Sequence, residues 1–492
     1  MLFGTSRPHH SRRRGRVVER PHRRASWKEW IAAVGVVIRS AEVSGLEPAE
    51  RRQLAVDVRD VPCGPGRLPV LGHGWRLWRD PVQFMVDLVS VGKVARVDIG
   101  NRVVYVITDF ELLHRVLVEN SDAYERGLLF ERIRLIFGES LIVADGQRHR
   151  DLRRLLQPAF HRTELDGYAP IIKHNADALA SSWRPGQIVE VRSALSEVVI
   201  VDLLASMFSH EPDTEELQLI SGLIEDIGGG AIVGSVLPKM LASLPLPVNR
   251  KFLSAGTKLR DYCRDLLVAR RVSGDRRSDL IGILLESSSE EHRSDEFLAE
   301  QAVTILFGGL DALTATLTWA LYELSQRPEV ASKLKHEISA AGDLNPRSLD
   351  KLDYLNRFLN EVTRIHSPLL QTRRSVTTVE LDGFTFPAGT DIGYSIAAIH
   401  RNPDVFAEPN TFDPDRWPPS NSGAKCRSFV PFSMGNQMCI GSNFAWVALQ
   451  TTLHSLLSKW EFQPVTTKKL PRAMGPIPGL RRLPLEVRPV SV

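Results

Sequence analysis

Phe432-Ser-Met-Gly435-Asn-Gln-Met-Cys439-Ile-Gly441 runs directly into an apolar, helix-patterned stretch from Asn443 to Trp460. A helix start concentrates unpaired backbone N–H groups and the positive end of the helix dipole. A cysteine placed there is expected to sit as a thiolate, the form that ligates metal. Gly435 and Gly441 permit a tight turn and let a flat, bulky partner approach the backbone closely. Phe432 is placed to cover the sulfur and keep water off it. These are the requirements for hanging haem iron on one sulfur, and an axial thiolate pushes electron density towards O–O bond cleavage. A lone buried cysteine before a helix is more often inert packing, so the loop is weighed with the rest of the chain.

The 492 residues are 43% hydrophobic and 24% charged, the composition of an ordinary globular protein. Cys63, Cys263, Cys426 and Cys439 are widely spread and form no CxxC pair. That speaks against zinc ribbons and disulfide frameworks, and for a reducing compartment, the cytoplasm. The formal net charge of +4 belongs to the start of the chain: residues 1–24 hold eight arginines and one acid, Glu19, which leaves the remainder at −3. The body gives no sign of binding nucleic acid. No segment is expected to span a bilayer; Trp30 to Ile38 is the best N-terminal candidate and falls far short of the roughly 20 apolar residues required. Residues 1–60 are expected to form a basic, disordered extension and 61–492 one folded body. A peripheral membrane contact through the basic N-terminus is a second reading of the same residues.

The segment 62–73 is rich in Pro and Gly and reads as a hinge. Lys93 to Thr108 alternates as two short strands around Gly100-Asn101. From about 110 to 340 the apolar spacing is helical. Its Gly-rich interruption at 227–234, followed by Leu244 to Pro247, reads as a mobile connection. A second strand-rich patch runs from Val379 to Ala398. The fold class expected is mainly α with a small β region at two sequence-distant places, which argues against Rossmann and barrel enzymes.

Three further constellations carry chemistry. Glu361 and Arg364 are three apart on a helix expected from Leu355 to Ile365, so they share a face. Arg416, in Phe412-Asp-Pro-Asp-Arg416-Trp417, is placed to offer a second guanidinium to the same carboxylate, and such a network is tolerated only when fully paired. Gly308-Gly309-Leu-Asp311-Ala312 interrupts an apolar helix at roughly 298–326. Two interior glycines cost about 1 kcal/mol each relative to Ala. They mark either a tight helix crossing or a locally opened helix with a carboxylate beside a ligand. His149 and Arg153 lie four apart on one helix face and suit an anionic group, with Arg373 or Arg374 as a third member.

With these motifs in this order, residues 61–490 resemble the cytochrome P450 superfamily. The resemblance implies a helix-rich triangular prism with haem between the I-type and L-type helices. It implies Cys439 as the iron ligand, with Phe432, Gly435, Gln437 and Gly441 in the haem loop. His149, Arg153 and Arg373 are then haem-propionate contacts, Glu361, Arg364 and Arg416 a structural network, and Asp311 and Ala312 the catalytic positions of the oxygen-binding helix. It also implies haem b (iron protoporphyrin IX), electrons from NAD(P)H through a separate ferredoxin-like donor and its reductase, and an apolar small-molecule substrate. The stretch Arg153-Arg-Leu-Leu-Gln-Pro-Ala-Phe-His-Arg162 looks like bacterial terpenoid-oxidising members such as the pentalenene oxygenases, which points to secondary metabolism. Two departures matter. Ala312 stands where the family usually has a Thr that helps deliver protons, and Gln437 stands where Arg or His is usual. They leave open an alternative: a haem-binding ligand binder or non-oxidative isomerase without efficient oxygenase activity.

Overall fold

The computed structural model describes residues 58–490 except 101, 237–245, 276, 278, 287–293, 343–345, 420–421, 423–425, 467, 469 and 474–476. The expected extension therefore falls almost wholly outside the described residues, as does Leu244. The folded body is already present at Val58–Asp60, a 3₁₀ turn whose Val58 packs on a hydrophobic cluster.

Helices dominate. The long ones are α1 (Leu128–Phe137), α2 (Gly146–Leu156), α3 (Arg162–Ser182), α4 (Val191–Met207), α5 (Thr214–Val236), α6 (Pro247–Ser273), α7 (Asp295–Gln326), α8 (Pro328–Ala341), α9 (Asp353–Ile365) and α10 (Ser442–Leu457). The central one is α7. Ser294 caps it by accepting from the Phe297 N–H, Asp295 and Glu296 sit in its first turn, and Pro328 follows its end. It packs on α4, α6, α9 and α10, with side chains buried on nearly every face. It is also long and apolar enough to cross a membrane, contrary to the expectation that no segment would be. Its burial marks it as a core helix, because a helix apolar all round needs covering on every side.

The main sheet holds β1 (Val94–Ile99), β2 (Arg102–Ile107), β3 (Tyr124–Arg126), β4 (Gln371–Ser375) and β5 (Asp391–Tyr394) in the order β1-β2-β5-β4-β3. β1 and β2 are the expected hairpin, paired from Val94 opposite Ile107 to Ile99 opposite Arg102. The strand content is wider than two patches. Ile188–Glu190, Pro484–Pro489 and Trp460–Pro464 form a separate three-stranded sheet, so Trp460 is a strand residue and α10 stops at Leu457. Ala398 lies in a short helix, Ile396–Ile399, that the strand pattern hid. Each of these strands pairs only with sequence-distant partners, which local alternation cannot reveal.

The glycine-rich stretch at 227–234 is not a connection; it lies inside α5. A Cβ on Gly230 would fall 2.6 Å from the Phe252 Cβ on α6. Arg132 of α1 donates to the Gly230 carbonyl at 2.9 Å and to Asn249 Oδ1 at 2.7 Å, with its guanidinium 4.4 Å from the Phe252 ring. Gly230 therefore serves a close helix crossing. The segment 62–73 is likewise no hinge, since Gly64 and Arg96 are joined on β1 and His73 is fully buried.

Candidate active site around Cys439

The loop before α10 closes on itself. The Cys439 N–H donates to the Phe432 carbonyl at 3.0 Å and Met438 N–H to the Gly435 carbonyl at 3.1 Å. Gly435 has φ +71, and a Cβ there would lie 2.0 Å from the Leu117 carbonyl oxygen. Its glycine is thus demanded by neighbouring backbone, while Gly441 meets only the Phe160 ring at ordinary contact distance. Phe432 packs edge-on against Trp446 at 6.2 Å. Cys439 is accessible along one side. Even so, burial is the largest influence on its thiol and pushes it up, opposed by the Gly441 N–H and the charge of Arg153. In the chain alone burial outweighs the helix start, and a cation bound at the sulfur would favour the thiolate.

Beside the loop lies a cavity of 320 Å³ lined by His149, Arg373 and Gln437 with Asp145 and Asn436 among its other walls. It brings together three residues that are far apart in sequence. Arg153 donates to the Met438 carbonyl at 2.6 Å and so ties α2 to the cysteine loop. Of the two adjacent arginines, Arg374 is spent on Glu131 and Asp391 at 2.8 and 2.9 Å, whereas Arg373 is buried and faces the cavity. His149 is pushed down to about 4 by burial and by Arg126, Arg153, Arg373 and Arg150. In the chain alone it is therefore held as the neutral imidazole.

Arg126 escaped the sequence reading. β3 pairs with β4 so that Arg126 stands directly opposite Arg373. Like charges directly opposite one another destabilise a sheet. Burial, reinforced by Arg373, pushes the Arg126 guanidinium down to about 9, with Asp145 opposing. Its Nε is buried without a hydrogen-bond partner, as is Gln437 Oε1, whose Nε2 reaches Asp145 at 3.4 Å. A half-buried and a buried arginine forced together mark a place built for an anion. The only sequence signal was an arginine in a short alternating run, which carries no information about register.

Glu361 is fully buried and receives Arg364 Nε and Nη2, both at 2.8 Å, Arg416 Nε at 3.0 Å, Trp417 Nε1 at 3.0 Å and the Asp413 N–H at 2.9 Å. Arg364 continues to the carbonyls of His400 and Pro409. This binds α9 to the segment that leads into the cysteine loop.

On α7 the helix is unbroken through Gly308 and Gly309, so the locally opened reading is not what is found. Gly309 serves a tight crossing, its would-be Cβ lying 2.9 Å from Leu203 of α4. Gly308 meets nothing, and it is the one exposed residue among 297–325. Asp311 and Ala312 are partly open beside it, whereas Thr314 is buried with its hydroxyl unpartnered. Burial lifts the Asp311 carboxyl to about 6; Arg192 opposes this and Glu225 adds to it. The segment 137–141 runs along the same helix, through Phe137 against Phe307 at 5.1 Å and Ser140 to Thr304 at 2.7 Å. Among the described residues no cluster of three or more His, Cys, Asp or Glu could hold a metal ion, so Cys439 is offered alone.

The sequence profile of cytochrome P450 matches residues 62–487. The chain belongs to the cytochrome P450 family. Pentalenene oxygenase of Streptomyces avermitilis is 32% identical over 404 residues, covering 80% of this chain and 90% of that protein. Two proteins of Streptomyces melanosporofaciens are similar as well. Cyclooctatin synthase is 31% identical, covering 82% of this chain and 91% of its own length. Cyclooctat-9-en-7-ol 5-monooxygenase is 30% identical, covering 82% and 89%. The chain is thus a P450 monooxygenase, an oxidoreductase that carries haem and draws electrons from redox partners. The residues present fit that group: one accessible cysteine sulfur, and beside it the half-buried Arg126 opposite the buried Arg373, a pair suited to anionic groups.

Proposed function

We propose that this cytochrome P450 inserts one oxygen atom from dioxygen into an apolar terpenoid of secondary metabolism. In this reading haem b is held at Cys439, and electrons arrive from NAD(P)H through a ferredoxin-type donor and its reductase. The observation that carries the cofactor part is the cysteine loop flanked by the Arg126–Arg373 pair. The names of the relatives support the substrate class. Nothing beyond Ala312 and Gln437 supports the ligand-binder or isomerase reading.

Cys439 Sγ would hold the iron, and Arg126, Arg373, His149 and Arg153 would receive the haem carboxylates, with Gln437 donating a hydrogen bond in place of a charge. Bound there, haem supplies activation of dioxygen and its reductive cleavage. Gly308 leaves room for substrate, and the apolar wall of Phe137 and Phe307 excludes water. Asp311, lifted towards neutrality, holds a proton at its carboxyl and passes it inward. Ala312 has no hydroxyl to continue the route, and Thr314 is turned about 200° away around the helix. A substrate hydroxyl or an extra ordered water completes it.

Cys439→Ser tests the sulfur: the thiolate band in the carbon monoxide difference spectrum of the reduced protein is expected to vanish. A band left intact refutes the site. Ala312→Thr is expected to raise product formed per NAD(P)H consumed, roughly severalfold, because the missing relay member is restored. An unchanged ratio would show that protons take another route.

A further inference from the structure

The segment 138–141, which leaves the end of α1, is fastened to α7 by polar side chains on neighbouring helix positions. The Glu139 N–H donates to the Glu300 carboxylate at 3.0 Å and the Leu141 N–H to Gln301 Oε1 at 3.1 Å. Gly138, at φ +53, has no room for a Cβ, which would collide with the Glu300 carboxylate. Ser140 and Thr304 meet hydroxyl to hydroxyl at 2.7 Å, and Thr304 Oγ1 also lies 2.9 Å from the Glu300 carbonyl.

Counting hydrogens decides what this cluster lacks. A hydroxyl has one hydrogen and a carbonyl none. The Thr304 hydrogen therefore goes to the Glu300 carbonyl, and Ser140 supplies the one between the two hydroxyls. Thr304 Oγ1 is left with a lone pair and nothing to donate. Gln301 is the converse: its oxygen is taken by Leu141, and its Nε2 is buried with no acceptor among the described residues. Such a donor, left unsatisfied, costs about 1–3 kcal/mol. Residues three apart are neighbours on a helix face, so a spare acceptor and a spare donor stand side by side. Thr304 also shares a face with Gly308, four residues on, whose surroundings are open. It keeps 6% of its surface, while Ala302, Val303 and Leu306 keep none.

We propose that Thr304 and Gln301 together receive a hydroxyl group of the substrate, which makes that substrate a terpenoid alcohol rather than a hydrocarbon. The substrate O–H donates to Thr304 Oγ1, and its oxygen accepts from Gln301 Nε2. One group meets both needs, whereas a carbonyl meets one and a hydrocarbon neither. A few placed polar groups in an otherwise apolar cavity fix orientation. Seven residues of helix set Thr304 about 10 Å from Asp311 along the axis. The anchored hydroxyl therefore lies away from the proton route and selects which end of the substrate faces it. This inference rests on the reading that substrate lies over Gly308.

Isothermal titration calorimetry on the full-length haem-loaded protein compares cedrol with cedrane and patchoulol with patchoulane, alcohols with their parent hydrocarbons. In at least one pair the alcohol is expected to bind roughly tenfold or more tightly. Thr304→Val keeps the shape and removes the hydroxyl. It should weaken the alcohol by about tenfold and the hydrocarbon by less than about twofold. Gln301→Leu should do the same from the donor side, and it answers the question if the first variant folds poorly. Equal affinities in both pairs overturn the proposal, because an ordered water then satisfies the cluster. An alcohol preference that survives both variants overturns it as well, since another group would hold the hydroxyl. Binding needs no turnover, so a protein without oxygenase activity still gives the answer. An intact carbon monoxide band in each variant shows that the haem site itself is unchanged.

Discussion

Glu361→Gln yields a chain that melts early and takes up little haem. The carboxylate receives five donors on its two oxygens inside the core, three of them from the guanidiniums of Arg364 and Arg416, which meet no other anion among the described residues. An amide turns one oxygen into a donor facing donors and leaves the buried Arg364 and the half-buried Arg416 unneutralised. Removing one partner of a buried ion pair costs about 3–5 kcal/mol, against a total stability of roughly 5–15 kcal/mol. The damage is also directed. Arg364 and Arg416 clamp the carbonyls of residues 400–411, and His400 in turn accepts from the Val430 N–H at 3.0 Å, two residues before Phe432. Losing the clamp loosens the cysteine loop itself. Denaturant midpoint and haem content measured on the same preparation test this; wild-type values for both would show that the network is dispensable.

Asp311→Asn is expected to move stability and turnover in opposite directions. Burial lifts this carboxyl from its usual 3.8 to about 6. Between those values the folded chain binds more protons than the unfolded one, so this group costs stability as pH rises through about 6. The cost is absent below about 3.8 and complete above about 7. An amide cannot ionise, so the variant should be more stable at neutral pH by about 1–3 kcal/mol, the upper figure being the undiscounted shift and the lower allowing for the partly open side chain. Turnover should fall on the order of a hundredfold, the contribution of a positioned proton donor. Wild-type turnover should decline as pH rises through about 6, and the variant should lack that limb. Equal stability and turnover for the two proteins across that range would remove Asp311 from the proton route.

Much of the arrangement was legible because it is local. The hairpin of β1 and β2 follows from period-two alternation around a glycine turn, and α7 from the apolar spacing over roughly 298–326. Glu361 and Arg364 share a helix turn, so their pairing is written in a spacing of three. The glycine-rich stretch around Gly230 misled, whereas Gly309 serves the tight crossing that was one of its two readings and Gly435 the expected turn. Gly230, Gly309 and Gly435 each answer to a neighbour distant in sequence, Phe252, Leu203 and Leu117, and a glycine in isolation does not say whether it frees the chain or admits a close contact.

The chain of residues on its own determined the family, the sulfur that would hold the iron and the carboxylate of the buried network, since each resides in a motif whose spacing is its chemistry. Only the tertiary structure decided that Arg126 faces Arg373, that Arg374 is occupied elsewhere, that His149 stays neutral and that Asp311 is lifted towards neutrality. Register between distant strands and the depth of burial set charge states, and both depend on what the rest of the chain brings alongside.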